Sequence, residues 1–199
     1  MEDYLYIPAV PRREAVLRRM GMKAAEQSGD LNREIDGFLR CAQAQFSVSG
    51  RAGVFRLEHI GESRVRIEDA EIESEQLSRL LGTCAEAYIM CAAVPERETR
   101  FIGEALARGE GLKALAMDAY ASELADGALD YIMDRKNLML KRTGRSLTAK
   151  RFSAGYGDLD IKYQKVFYEL SGMSALGVRI NDKYLLTPEK SVIAIAGVR

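Results

Sequence analysis

One stretch limits the possible folds more than any other: Ala85-Glu86-Ala87-Tyr88-Ile89-Met90-Cys91-Ala92-Ala93-Val94, an almost unbroken apolar run closed by Pro95. A membrane helix needs about 20 such residues, and no run in the chain approaches that length. Between a Gly82 stop and a proline, the run reads as a buried strand of a central sheet. Cys91 within it and Cys84 beside it are then core residues.

The remaining elements follow from periodicity and punctuation. Residues 1 to 10 read as an extended lead-in, with Tyr4, Tyr6 and Ile7 on or near a surface. Pro11 opens a short helix that Gly21 stops. Asp30 is the expected N-cap of a second helix with Leu31, Ile35, Phe38, Leu39 and Ala42 inward. Ser47 to Gly53 ends it with small residues. Val54 to Ile60 and Val65 to Ile67, joined by Gly61-Glu62-Ser63, form an antiparallel hairpin. His59 is a half-exposed strand residue there, since no partner motif accompanies it. Ser74 to Leu81 is a capped short helix ending at Gly82.

After Pro95, Phe101, Ile102 and Leu106 recur at helical spacing up to Gly109 and Gly111. A longer helix runs from Leu112 to about Leu140, with Leu115, Tyr120, Leu124, Ala128 and Ile132 inward. Asp118, Ser122, Asp126 and Asp130 lie four apart, which lines them along one side of that helix. Downstream, a helix at Tyr163 to Leu170 is followed by a strand at Leu176 to Ile180, a turn at Asn181-Asp182-Lys183, a return at Tyr184 to Leu186, and a last apolar strand at Ile193 to Ile195.

Composition removes whole classes of function. The chain of 199 residues has the size of one domain, or of one domain with an N-terminal appendage. Lys+Arg and Asp+Glu are equal at 29 each, so no net charge directs it to nucleic acid or an anionic membrane. The lone His59 makes a histidine metal centre or a Ser-His-Asp triad hard to build. Cys41, Cys84 and Cys91 are odd in number and form no C-x-x-C, which speaks for a reduced, cytoplasmic protein. The opening Met1-Glu2-Asp3 lacks the order of a secretory signal. One charge block stands out: Arg135, Lys136, Lys141, Arg142, Arg145, Lys150 and Arg151, with no acid between Asp134 and Asp158. It is either a solvated helix end and linker or a dock for an acidic partner or phosphate.

The stretch Arg151-Phe152-Ser153-Ala154-Gly155-Tyr156-Gly157-Asp158 carries the chemistry. Arg151 offers a planar fork for a carboxylate or phosphate. The glycines permit a tight turn and a close backbone approach, and Tyr156 adds a flat face with a hydroxyl. Such a loop suits a small zwitterionic ligand such as an amino acid derivative, or else is a polar turn between two elements. Asp126 on the preceding helix can present a carboxylate to a cationic group at that loop.

R-F-S-A-G-Y-G-D at 151 to 158 and L-x-P-x-K-S-V at 186 to 192 are separated by a helix ending in Gly172 and a strand around Val178. This pair of motifs resembles the activation domain of cobalamin-dependent methionine synthase, in its short, free-standing version. The resemblance implies an accessory subunit rather than a complete enzyme. It would bind S-adenosylmethionine and support reductive remethylation of cobalamin on a separate methionine synthase, with a flavodoxin-type electron donor. By matching position, Arg151 would face the ligand carboxylate, and Ser153 and Gly155 would give backbone contacts. Tyr156 would lie near the sulfonium, and Asp126 would balance the ligand's positive charge. Ala154 stands where the family commonly has proline. No D-x-H-x-x-G motif is present, so cobalamin would be carried only in trans, by the partner. The alternative is a non-catalytic binding or escort module for a corrinoid protein, docked through the 135–151 basic block. The expected fold is α+β: a bent, mainly antiparallel sheet flanked by helices, with an N-terminal helical pair. Residues 1–50 would form a helical segment packed on an activation-like domain at 51–199.

Overall fold

The computed structural model describes residues 1–22 and 28–199. Its centre is strand β5 (Glu86–Ala93), the apolar run that dominates the sequence. β5 lies antiparallel between β2 (Ser49–His59) and β8 (Ser191–Val198), with Ile89 opposite Gly53 on one side and Ile195 on the other. Beyond β2 the sheet continues through β3 (Arg64–Ile67) and β4 (Ala70–Glu73), and β1 (Glu2–Tyr4) pairs with the first part of β2. Every pairing is antiparallel, and the sheet is curled and flanked by helices, as expected for an α+β chain.

Alternation along β5 explains why it is apolar at nearly every position. Tyr88, Met90, Ala92 and the following Val94 enter one core, while Ala87, Ile89, Cys91 and Ala93 enter another on the opposite face. The first core is covered by α1 (Arg13–Arg19), α2 (Gly29–Gln45) and the long α5 (Gly111–Leu140). Both members of the N-terminal helical pair pack on α5. α4 (Glu96–Ala107) also lies against α5. The second core is covered by α3 (Glu75–Leu81), α6 (Gln164–Ser171) and the loop carrying Ala154 and Leu159.

Several sequence expectations change. The N-cap of α2 is Ser28, whose hydroxyl accepts from Leu31 N at 3.3 Å; Asp30 sits inside the first turn, where its charge still favours the helix dipole. Strand β2 begins at Ser49 rather than Val54. Its small residues are needed for close packing: a Cβ at Gly50 would lie 2.7 Å from Cys91 O and 2.8 Å from Ile132 Cδ1. Ile7 is buried, although it follows an exposed Leu5 and Tyr6. Phe101, Leu106 and Leu115 are exposed, because α4 and the start of α5 are covered on fewer sides than their apolar spacing suggested. The strand at 176–180 shortens to β6 (Arg179–Ile180), paired with β7 (Leu186–Thr187), and Met173–Leu176 forms a 3₁₀ turn instead. β4 was not anticipated.

Candidate functional site

The site is assembled where α5, the 151–158 loop and the start of β8 meet. Phe152 is fixed to β8 by a reciprocal backbone pair, donating to Ile195 O at 2.9 Å and accepting from Ile195 N at 2.8 Å. This leaves Arg151 and Ser153 on either side of a residue tied to the sheet. The chain then turns sharply, with Gly155 N donating to Leu159 O at 2.8 Å. Gly155 has φ +87° and Gly157 φ +56°, left-handed conformations that favour glycine. Asp158 ends the loop by capping α3: its carboxylate accepts from Glu75 N at 2.7 Å, Gln76 N at 3.2 Å and the Ser74 hydroxyl. The last residue of the motif therefore anchors the loop to the second core.

A cleft of about 380 Å³ opens between these elements, and Asp126, Arg151, Ser153, Tyr156, Gln164 and Ser191 give it its polar lining. Leu129, Val192 and Ile193 supply apolar surface. A volume near the lower end of the usual range for ligand pockets, roughly 300–1,000 Å³, suits a small molecule. Four of the five site residues expected from the sequence thus converge: Asp126, Arg151, Ser153 and Tyr156. Gly155 does not line the cleft; it shapes the turn. Tyr156 stands at the rim, 69% exposed.

Arg151 is the electrostatic centre of the site. Its Nη2 donates to Asp126 Oδ1 at 3.0 Å and to the Asp126 carbonyl at 3.3 Å, and its Nη1 pairs with Asp130. Burial works against its charge, but Asp130 and Asp126 outweigh that and hold its pKa above the ordinary arginine value. Arg151 also borders a second hollow of about 680 Å³ that includes Met133, Asn137 and Thr148.

The acidic side of α5 is engaged by the protein itself rather than free in solvent. Asp118 pairs with Lys190 at 2.7 Å, tying α5 to the residue before β8. Asp126 also lies 3.6 Å from Arg19 of α1. The basic block is likewise partly internal: Lys136 pairs with Glu2 at 2.6 Å, Arg145 with Glu86, and Arg151 with the α5 carboxylates. His59 is exposed at the end of β2, opposite Val65.

Gln164 and Leu129 were not legible as site residues. Gln164 reaches the cleft from the first turn of α6 while its Nε2 donates to Tyr184 O at 2.5 Å, and nothing in the local sequence signals that. Ser191 lies in the K-S-V segment that the sequence did single out. Among the described residues, no group of three or more His, Cys, Asp or Glu side chains is placed to hold a metal, and no helix is long and apolar enough to cross a membrane.

No protein-family model and no curated protein matches the sequence. Among solved structures, the chain is similar to the MetH reactivation domain bound to AdoHcy (S-adenosylhomocysteine), with a TM-score of 0.66 and 14% sequence identity. The match covers 96% of this chain and 81% of that one. At this identity the likeness establishes the architecture: the chain has the fold of that reactivation domain.

Proposed function

We propose that the protein is an accessory reactivation subunit that binds S-adenosylmethionine in the cleft beside Arg151. The observation that carries this reading is the convergence of Asp126, Arg151, Ser153 and Tyr156 on one cleft, in a fold whose solved counterpart holds AdoHcy. The ligand would supply the methyl group that, with one electron from a flavodoxin-type donor, returns oxidised cobalamin on a separate methionine synthase to its methylated form.

This chain's own residues would bind and orient the ligand. Arg151 matches a carboxylate, Asp126 matches an ammonium or sulfonium, and the turn at Gly155 brings main-chain groups of the loop to the cleft. Leu129, Val192 and Ile193 would cover apolar parts of the ligand. Residues 51–199 would hold the ligand, and the segment 1–50 would brace α5 from the other side. The protein would work in the cytoplasm, with its cobalamin-binding partner. An escort role through the basic block draws less support, because Lys136, Arg145 and Arg151 already have internal partners.

The test is reconstitution. The purified protein is added to a cobalamin-loaded methionine synthase lacking its own activation domain, with S-adenosylmethionine and a one-electron donor. Recovery of methylated cobalamin that depends on both the protein and S-adenosylmethionine is the expected result. Recovery that is unchanged when the protein is omitted contradicts the proposal.

A further inference from the structure

Ser191 opens β8 in register with Ala93 and is one of the residues that line the same cleft as Arg151 and Asp126. Its Oγ is the one buried side-chain oxygen or nitrogen without a hydrogen-bond partner among the described residues. Other buried polar groups are satisfied. The Ser74 hydroxyl bonds to Asp158 and Leu77 N, Thr148 Oγ1 to Lys150 O and Gly197 N, Ser171 Oγ to Tyr168 O, and the Glu98 carboxylate to Ser47 N and Oγ. Among the described residues, Ser191 is the exception to the pairing of buried polar side-chain atoms.

A buried hydroxyl with no partner is unfavourable, and each such group in a folded protein calls for a reason. Alanine at this position would carry no unsatisfied atom. Nor do the neighbours supply a bond: Lys190 is held by Asp118, and Val192 and Ile193 are apolar. Because the oxygen belongs to a half-buried, cleft-lining residue and rotation about Cα–Cβ moves it between staggered positions, what occupies the cleft is the available source of a partner.

We infer that the Ser191 hydroxyl is a ligand-binding group, hydrogen-bonded to a polar atom of the S-adenosyl compound in the cleft; this rests on the function proposed above. A hydroxyl both donates and accepts. It therefore complements the fixed donor Arg151 and the fixed acceptor Asp126, and adds recognition of an uncharged ligand group that neither of them favours.

Calorimetric titration with S-adenosylhomocysteine on wild type, Ser191→Ala and Ser191→Cys, with melting temperatures of the ligand-free proteins, tests this. Wild type binds, and both variants bind about fivefold more weakly, while the ligand-free melting temperature of Ser191→Ala is equal to or above that of wild type. Equal affinity in wild type and both variants overturns the role of Ser191 and leaves the cleft reading intact. A lower ligand-free melting temperature in Ser191→Ala also overturns it, because the hydroxyl then has a partner inside the protein. No binding by wild type overturns the cleft reading and the role of Ser191 together.

Discussion

Arg151 Nη2 lies 3.0 Å from Asp126 Oδ1 and 3.3 Å from the Asp126 main-chain carbonyl, so one residue of α5 holds the guanidinium through both its side chain and its backbone. Asp130, one turn further along, takes Nη1. The arginine that would receive a ligand carboxylate is therefore already oriented, and already shared.

That sharing predicts opposite effects at two neighbouring carboxylates. Asp130 is the more exposed, at 68% against 49% for Asp126, and on the proposed reading it would compete with the ligand carboxylate for Nη1. Asp130→Asn should tighten S-adenosylhomocysteine about threefold in calorimetry. Arg151→Ala should weaken binding by about 1.5–3 kcal/mol, the range for a hydrogen bond to a charged group. Asp130→Asn should shift the unfolding free energy by no more than about 1 kcal/mol, because Asp130 is largely exposed to solvent. Weaker binding by Asp130→Asn would show that Asp130 supports the ligand rather than competing with it.

Asp158 predicts a pH-dependent cap. The Ser74 hydroxyl, then the backbone N–H groups of Gln76 and Glu75, hold its carboxyl below the ordinary value of 3.8. A lowered folded pKa means that the contribution is complete above 3.8 and is lost as pH falls below it. Asp158→Ala should cost about 1 kcal/mol at neutral pH, the typical effect of losing a helix cap. In urea unfolding, the gap between variant and wild type should close as pH drops below that value. A gap that persists at low pH would place the stabilisation elsewhere than in the charge.

Gly50 predicts a packing failure. Because its Cβ would meet the Cys91 carbonyl at 2.7 Å, and backbone cannot swing aside as a side-chain tip can, Gly50→Ala should lose about 1–3 kcal/mol. Thermal unfolding measures it, and an unchanged melting temperature would mean that β2 and β5 separate more readily than their register implies.

The same glycine shows where sequence reading stops. Gly50 looks like a loop residue in one dimension, and only the approach of Cys91 and Ile132 explains it as strand. β5 was legible because burial on both faces leaves a mark at nearly every position. The 151–158 loop was legible because its glycines and Arg151 are unusual together. Gln164 and Leu129 were not, since they reach the cleft through the packing of α6 and α5. Leu115 failed for a related reason: periodicity identifies an apolar helix face, but not how far along that face another element covers it.

Glu2 predicts that the N-terminal strand is held electrostatically. Its carboxylate accepts from Lys136 Nζ at 2.6 Å, Tyr4 OH at 2.8 Å and Tyr88 OH at 3.2 Å. Burial opposes its charge, but Lys136 and the two tyrosines keep its pKa below 4.5. Glu2→Gln should lose about 1 kcal/mol in urea unfolding at neutral pH. The loss should shrink as pH falls below 4.5, where wild type protonates as well. Equal stability at neutral pH would mean that β1 is held by its backbone pairing to β2 alone.

The most direct test of the central claim is amide chemical-shift mapping of the ¹⁵N-labelled protein titrated with S-adenosylhomocysteine. Saturable shifts centred on Ser153 to Tyr156, Asp126 to Leu129 and Ser191 to Ile193 are predicted. An absence of shifts at saturating ligand, or shifts centred on a surface away from this cleft, would contradict it.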